Sequence, residues 1–153
     1  MTNALTVTDL RVTYPVGTKL LHAVNGVSFS VAPGETLGLV GESGSGKSTT
    51  GLAILRLIPP AAGSAKLGDV ELTTASNREI RTLRKRMQMV FQDPYSSLNP
   101  SMTVGTLLEE PLLIHTKMSK ADRHAEVAKV LASVGLNPQH AARYPHEFSG
   151  GQR

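Results

Sequence analysis

Between residues 4 and 14 apolar side chains fall two apart, first Leu5 and Val7, then Leu10, Val12 and Tyr14, the period of a half-buried strand. A turn is expected over 15–17. The strand pattern repeats over 20–24 and 27–31 around Asn25-Gly26, a dipeptide suited to a tight turn, and Pro33-Gly34 closes this antiparallel section. Thr36 to Val40 reads as a short buried strand. From Lys47 to Ile58 the period changes, with Leu52, Leu55 and Ile58 three apart, and Pro59-Pro60 must stop the helix so described. Small residues over 61–64 suggest a linker, and 66–73 a weak strand. Ser76 and Glu79 form a capping box that opens a helix, whose Arg78, Arg81, Arg84, Lys85 and Arg86 read as a solvated face, with a binding patch as the alternative. Met87 to Phe91 has strand character with core-filling methionines, and Gln92-Asp93-Pro94 ends it. Thr103 caps a helix over 104–110, interrupted at Pro111. Ser119 and Asp122 open another that carries Val127, Val130, Leu131 and Val134 on one face until Gly135.

Between the run 36–40 and the helix at 47 stands G-E-S-G-S-G-K-S-T, Gly41 to Thr49. This is the phosphate-loop pattern G-x-x-x-x-G-K-[S/T], in the order strand, loop, helix that the pattern requires. Amides converge on a pyrophosphate only if the chain curls tightly, which Gly41, Gly44 and Gly46 permit, with Ser43 and Ser45 between them. The helix start adds unpaired N–H groups and partial positive charge. Lys47 is the expected phosphate cation and Ser48 the expected Mg²⁺ ligand, so the chain is read as binding a nucleoside triphosphate.

Composition narrows the picture further. The chain has 153 residues, enough for one domain, with 4% aromatic residues and 18% charged. Sixteen Lys and Arg against twelve Asp and Glu leave a formal charge of +4, which fits a phosphate-binding protein and reads as too diffuse for nucleic acid. With no cysteine, disulfides, thiolate metal sites and cysteine nucleophiles are excluded. The N-terminus alternates polar and apolar residues and does not read as a signal peptide, and no apolar run has the length of a membrane span.

Three features that are weak alone are informative together: the phosphate loop, Gln92 in V-F-Q-D-P, and F-S-G-G-Q-R at 148–153. The chain resembles the ATP-binding subunit of an ABC transporter over its whole length. The runs M-Q-M-V-F-Q-D-P-Y-S-S-L-N-P and R-Y-P-H-E-F-S-G-G-Q-R resemble the ATPases of bacterial oligopeptide, dipeptide and nickel importers. The resemblance implies an α/β P-loop nucleotide-binding fold: a small antiparallel N-terminal sheet, the start of a parallel core, and an inserted helical subdomain. It divides residues 1–153 into an ATP-binding core over about 1–100, a helical subdomain over about 103–148 and the start of a signature motif at 148–153.

It also implies roles. Tyr14 would stack on adenine, and Gln92 would sense Mg²⁺ and the attacking water. Ser149, Gly150, Gly151 and Gln152 would contact ATP held by a second ATPase subunit in a head-to-tail dimer. S-G-G reads in its own right as a second anion nest preceding a helix. The implied cofactors are ATP and Mg²⁺. The implied partners are membrane permease subunits and, through them, a solute-binding protein, with the chain on the cytoplasmic face of the plasma membrane and no nucleic acid involved. A parallel strand ending in Asp-Glu and a switch histidine follow the signature in the family and do not occur within 1–153. The chain is accordingly expected to be the N-terminal part of a longer ATPase, with little turnover alone. The alternatives are a non-hydrolysing fragment that binds nucleotide or permease, and an ABC-type ATPase acting on nucleic acid, which would require tandem nucleotide domains.

Overall fold

A bulge in the first strand sets the phase of the N-terminal sheet. In the computed structural model, which describes residues 4–91, 93 and 97–152, β1 (Leu5–Val16) buries Val7 and then Leu10, three residues later. Asp9 takes up the extra residue at φ 46°, and the register to its partner strand shifts there. Leu10 and Val12 are thereby kept in the core with Val7. β2 (Lys19–Val31) runs antiparallel to β1 after a turn at 17–18. The expected turn at Asn25-Gly26 does not form; β2 is continuous through it, with Gly26 at φ 83° in a second irregularity of the ladder. Arg11 holds this point, donating to Asn25 Oδ1 at 2.6 Å while it pairs with Asp9 at 2.8 Å.

The chain divides into two compact units, residues 1–89 and 90–153. In the first, the strand order is β2-β1-β3-β4, with β3 (Ala62–Leu67) and β4 (Val70–Glu71) joining antiparallel. The expected linker over 61–64 thus lies mostly in β3, because pairing with β1 supplies what its small residues do not announce. The Glu71 carboxylate ties this corner, accepting from the Ser64 hydroxyl, the Ala65 N–H, and the N–H and hydroxyl of Thr73. Helix α1 (Lys47–Ile54) is shorter than the expected 47–58, and Arg56 turns the chain at φ 55° before the prolines. α2 (Asn77–Leu83) carries the predicted capping box and buries Ile80 and Leu83 against the core of Val7, Leu10, Val12, Val24, Ala53, Ala65 and Leu72.

Two expected strands, 36–40 and 87–91, are coil. A strand of a parallel sheet needs paired edges and two covered faces, and among the described residues neither segment has such a neighbour. Val40 and Val90 are therefore 94% and 96% exposed, although Met87 still packs against the core.

The second unit is helical. α3 (Val104–His115) begins at the predicted Thr103 cap but passes through Pro111. The proline withholds one N–H from the ladder, a loss the helix absorbs while Thr116 closes its far end with backbone and hydroxyl bonds to Leu112 O. α4 (Lys120–Ser133) has the predicted Ser119 cap and ends with Gly135 at φ 77°. Val127 and Leu131 are its buried pair, whereas Val130 and Val134 are largely exposed. Gly105 lets α3 approach the backbone at Ala141, where a Cβ would stand 2.9 Å from the carbonyl oxygen. Glu109 on α3 meets His124 on α4 at 2.8 Å. Short 3₁₀ turns at Pro138–Ala142, Pro145–Glu147 and Gly150–Gln152 complete the unit.

Candidate nucleotide site

The phosphate loop hangs from a defect in β2. Val12 pairs with Val24 and Thr13 with His22, so Ala23 is an extra residue left over between two pairs of the ladder. A Cβ at Gly46 would lie 2.3 Å from Ala23 O and 3.3 Å from Val24 Cγ2, and Gly46 sits at φ 90°. No other residue tolerates both conditions. Gly44 takes φ 81° within the loop, and Gly41 leaves room for the Ser45 side chain, whose Oγ would be 2.7 Å from a Cβ there.

Gly46 is the N-cap of α1. No side chain caps this helix and its first turn holds no acidic residue, so the first-turn amides of Lys47, Ser48 and Thr49 are available to an anion. Lys47 Nζ folds back over the loop and donates to Gly41 O at 2.8 Å, Glu42 O at 2.6 Å and Ser45 Oγ at 3.3 Å. An ammonium has three protons, and here all three are spent on the loop that a phosphate would share with it. The loop is thus held in a curled form by its own cation. Thr50, which sequence reasoning passed over, is the buried polar anchor: its hydroxyl and its N–H both donate to Gly46 O, at 2.9 and 2.8 Å. Its place next to G-K-S-T, facing inward one turn along, was the available signal. Ser48 is exposed at the start of the helix, where a hydroxyl is a hard oxygen ligand of the type Mg²⁺ takes alongside phosphates.

Tyr14 lies on the same sheet. It is two residues beyond Val12 on β1, hence on the same face, and opposite Leu21 on β2. It is 36% exposed. Loop, α1 and Tyr14 therefore share one unit and one side of one sheet. Gln92 lies outside the described residues, as do Tyr95 and Arg153.

The signature residues belong to the second unit. Phe148 is buried there, with its ring edge-on to His140 at 5.7 Å, and is a packing residue. Ser149, Gly150, Gly151 and Gln152 are exposed. The S-G-G-Q segment forms a 3₁₀ turn, and neither glycine has a positive φ. Gln152 folds back so that its Oε1 accepts from Ser149 N–H at 3.1 Å. The turn therefore presents its donors as the start of a helix does, with one of them already taken. Among the described residues no group of three His, Asp or Glu side chains could hold a metal by itself.

The family model described as ABC transporter matches residues 24–153. Over 136 residues the chain is 52% identical to the glutathione import ATP-binding protein GsiA of Escherichia coli (strain K12) and to that of Shigella boydii serotype 4 (strain Sb227), covering 89% of this chain and 22% of each relative. Among solved structures, the dimeric MJ0796, a bacterial ABC transporter cassette, superposes with TM-score 0.83 at 28% identity, over 97% of this chain and 64% of that one. CbiO1 from Clostridium perfringens, part of the ABC transporter complex cbiONQ, gives 0.79 at 26%, over 99% and 58%. The chain thus spans about a fifth of the curated relatives and about three-fifths of these solved chains. A phosphate loop seated on an antiparallel sheet, a helical unit carrying S-G-G-Q, and a family match over most of its length together place this chain in the ABC transporter family.

Proposed function

We propose that this chain is the nucleotide-binding part of an ATP-driven importer subunit for peptide-like solutes. The observation that carries the reading is the phosphate loop, a glycine curl at an uncapped helix start with Lys47 Nζ spanning it. The solute class is supported by the 52% identity to import proteins for glutathione, a tripeptide.

In this reading the amides of residues 44–49 and Lys47 hold the β- and γ-phosphates, and Lys47 exchanges its bonds to Gly41 and Glu42 for bonds to phosphate. Magnesium, when bound, supplies charge neutralisation between phosphate oxygens, and Ser48 is the residue that would hold it, with Gln92 as the second candidate. Tyr14 provides a stacking surface for adenine. Ser149, Gly150, Gly151 and Gln152 contact the nucleotide of a second ATPase subunit arranged head to tail; that the similar MJ0796 cassette is dimeric supports the pairing of two such subunits. The ATP-binding core over about 1–100 then holds the nucleotide, and the segment after Gln92 meets the permease at the cytoplasmic face of the membrane, with the helical subdomain over about 103–148. Among the described residues no helix is long and apolar enough to cross a membrane, so the permease would come from other chains or segments.

Thermal melting with and without Mg-ATP tests the reading. At about 100 times Kd, binding to the native state adds about 2.7 kcal/mol, a rise of about 5–10 °C for a chain of this size. Lys47→Ala should abolish the rise. An unchanged melt of the wild type at millimolar nucleotide refutes the proposal.

A further inference from the structure

The excess positive charge is not spread over the molecule. Of the sixteen Lys and Arg and twelve Asp and Glu, five and one respectively fall in residues 78–86, leaving eleven of each elsewhere. The whole formal charge of +4 therefore resides on α2 and the turn that follows it. α2 buries Ile80 and Leu83; at 3.6 residues per turn, Arg78 and Arg81 stand opposite that face, about 60° apart. Both are exposed, as are Arg84, Lys85 and Arg86 in the turn that follows. The one acidic residue, Glu79, is turned toward the helix cap, where its carboxylate accepts from the Ser76 N–H at 2.8 Å and hydroxyl at 2.7 Å. Among the described residues, Arg78, Arg81, Arg84 and Arg86 enter no ion pair. A notch of about 270 Å³ between Val70, Thr82 and Leu83 opens next to Arg78, and Val70 is 39% exposed within it.

We propose that this face docks on the anionic phospholipid headgroups of a bilayer. Guanidinium groups bind phosphate oxygens in a bidentate fork and give up their hydration more readily than ammonium groups, and four of the five cations here are arginines. The helix spans only about 10 Å, and residues 78–86 hold no aromatic side chain, so the face lacks the stacking platforms of single-strand nucleic-acid binding. The exposed valine notch offers a small apolar contact beside the cations. The choice of a bilayer over other polyanions rests on the importer reading above.

The test is sedimentation of the purified chain with vesicles of phosphatidylcholine alone or mixed with phosphatidylglycerol, at low and high salt. Binding is expected only to the mixed vesicles and should fall with salt. Each arginine neutralised should lower the partition coefficient about fivefold, and the triple variant Arg78→Gln, Arg81→Gln, Arg84→Gln about a hundredfold. Glutamine keeps helix propensity, so the melt should be unchanged; the variant Lys19→Gln, on β2 at the opposite edge of the sheet from β4, should bind as wild type. No binding to the mixed vesicles overturns the proposal, as does binding that the triple variant retains. Stronger binding to single-stranded RNA, lost with the same three substitutions, also overturns it and reassigns the face to nucleic acid. The Mg-ATP melt is run on the same preparations. An ATP shift without vesicle binding removes this inference alone, and vesicle binding without an ATP shift removes the nucleotide reading alone.

Discussion

Replacing Gly46 by alanine would place a methyl group 2.3 Å from the carbonyl oxygen of Ala23, with Val24 Cγ2 at 3.3 Å. Real Cβ atoms essentially never approach closer than 3.0 Å, so the loop or β2 must move by at least the difference of 0.7 Å. Both sides of the contact are backbone, one held by the β1–β2 ladder and the other by the Thr50 bonds to Gly46 O, so neither yields as a side chain would. Two contributions add. The left-handed conformation at φ 90° costs a non-glycine residue about 1–2 kcal/mol, and forced overpacking costs about 1–3 kcal/mol more. Gly44 isolates the first, because it has φ 81° but nothing within 4 Å of its would-be Cβ. Chemical denaturation of Gly44→Ala should therefore show a loss of about 1–2 kcal/mol, and Gly46→Ala about 2–5 kcal/mol. Nucleotide affinity, measured by titration on the still-folded fraction, should fall further for Gly46→Ala, since the displaced residue is the one that aims the first-turn amides. Equal losses for the two variants would refute the claim that the β2 bulge seats the loop.

Glu71 supplies a pH signature. Burial pulls its carboxyl up, but the four hydrogen bonds from Ser64, Thr73 and Ala65 outweigh this and hold it at about 2, against an ordinary 4.5. Its folded form thus favours the charged state, and its stabilisation is complete above about 4.5 and is lost as pH falls toward 2. Allowing for the water that screens this half-buried group, Glu71→Gln should cost about 1–2 kcal/mol at neutral pH; denaturation curves of the two proteins should converge near pH 2, and a constant gap down to that pH would contradict it. Tyr14→Ala should weaken ATP binding by about 1–3 kcal/mol while leaving inorganic triphosphate binding unchanged in calorimetry, and equal losses for both ligands would rule out a base-stacking role.

Elements that announce themselves through local chemistry were legible in the sequence. The Ser76, Thr103 and Ser119 caps each bond an amide three residues on, because an N-cap needs nothing beyond its own turn. The phosphate loop was legible for the same reason, its glycines and lysine being contiguous. What depended on partners distant in sequence was not. The runs 36–40 and 87–91 have strand composition, yet a strand exists only in a ladder. Conversely, 61–64 has almost no strand composition and becomes part of β3 because β1 offers it an edge, from Arg11 opposite Ala62 to Leu5 opposite Leu67. Pro111 misled for a related reason: its rule concerns one missing bond, and a twelve-residue helix closed at both ends survives that loss.

The Ala23 bulge joins these levels. Ala23 is the residue the ladder leaves over between Val24 and His22, and its carbonyl oxygen is the group that excludes every side chain but glycine at 46. The same insertion realigns β2 beyond it, setting Leu21 opposite Tyr14 on the face that carries Val12 and the loop. Tyr14 then stands about 7 Å along the strand from Val12, whose ladder partner Val24 lies against Gly46. One unpaired residue in β2 thus fixes both ends of the proposed nucleotide site. Deleting Ala23 should therefore disturb base and phosphate recognition together, whereas Tyr14→Ala should affect the base alone.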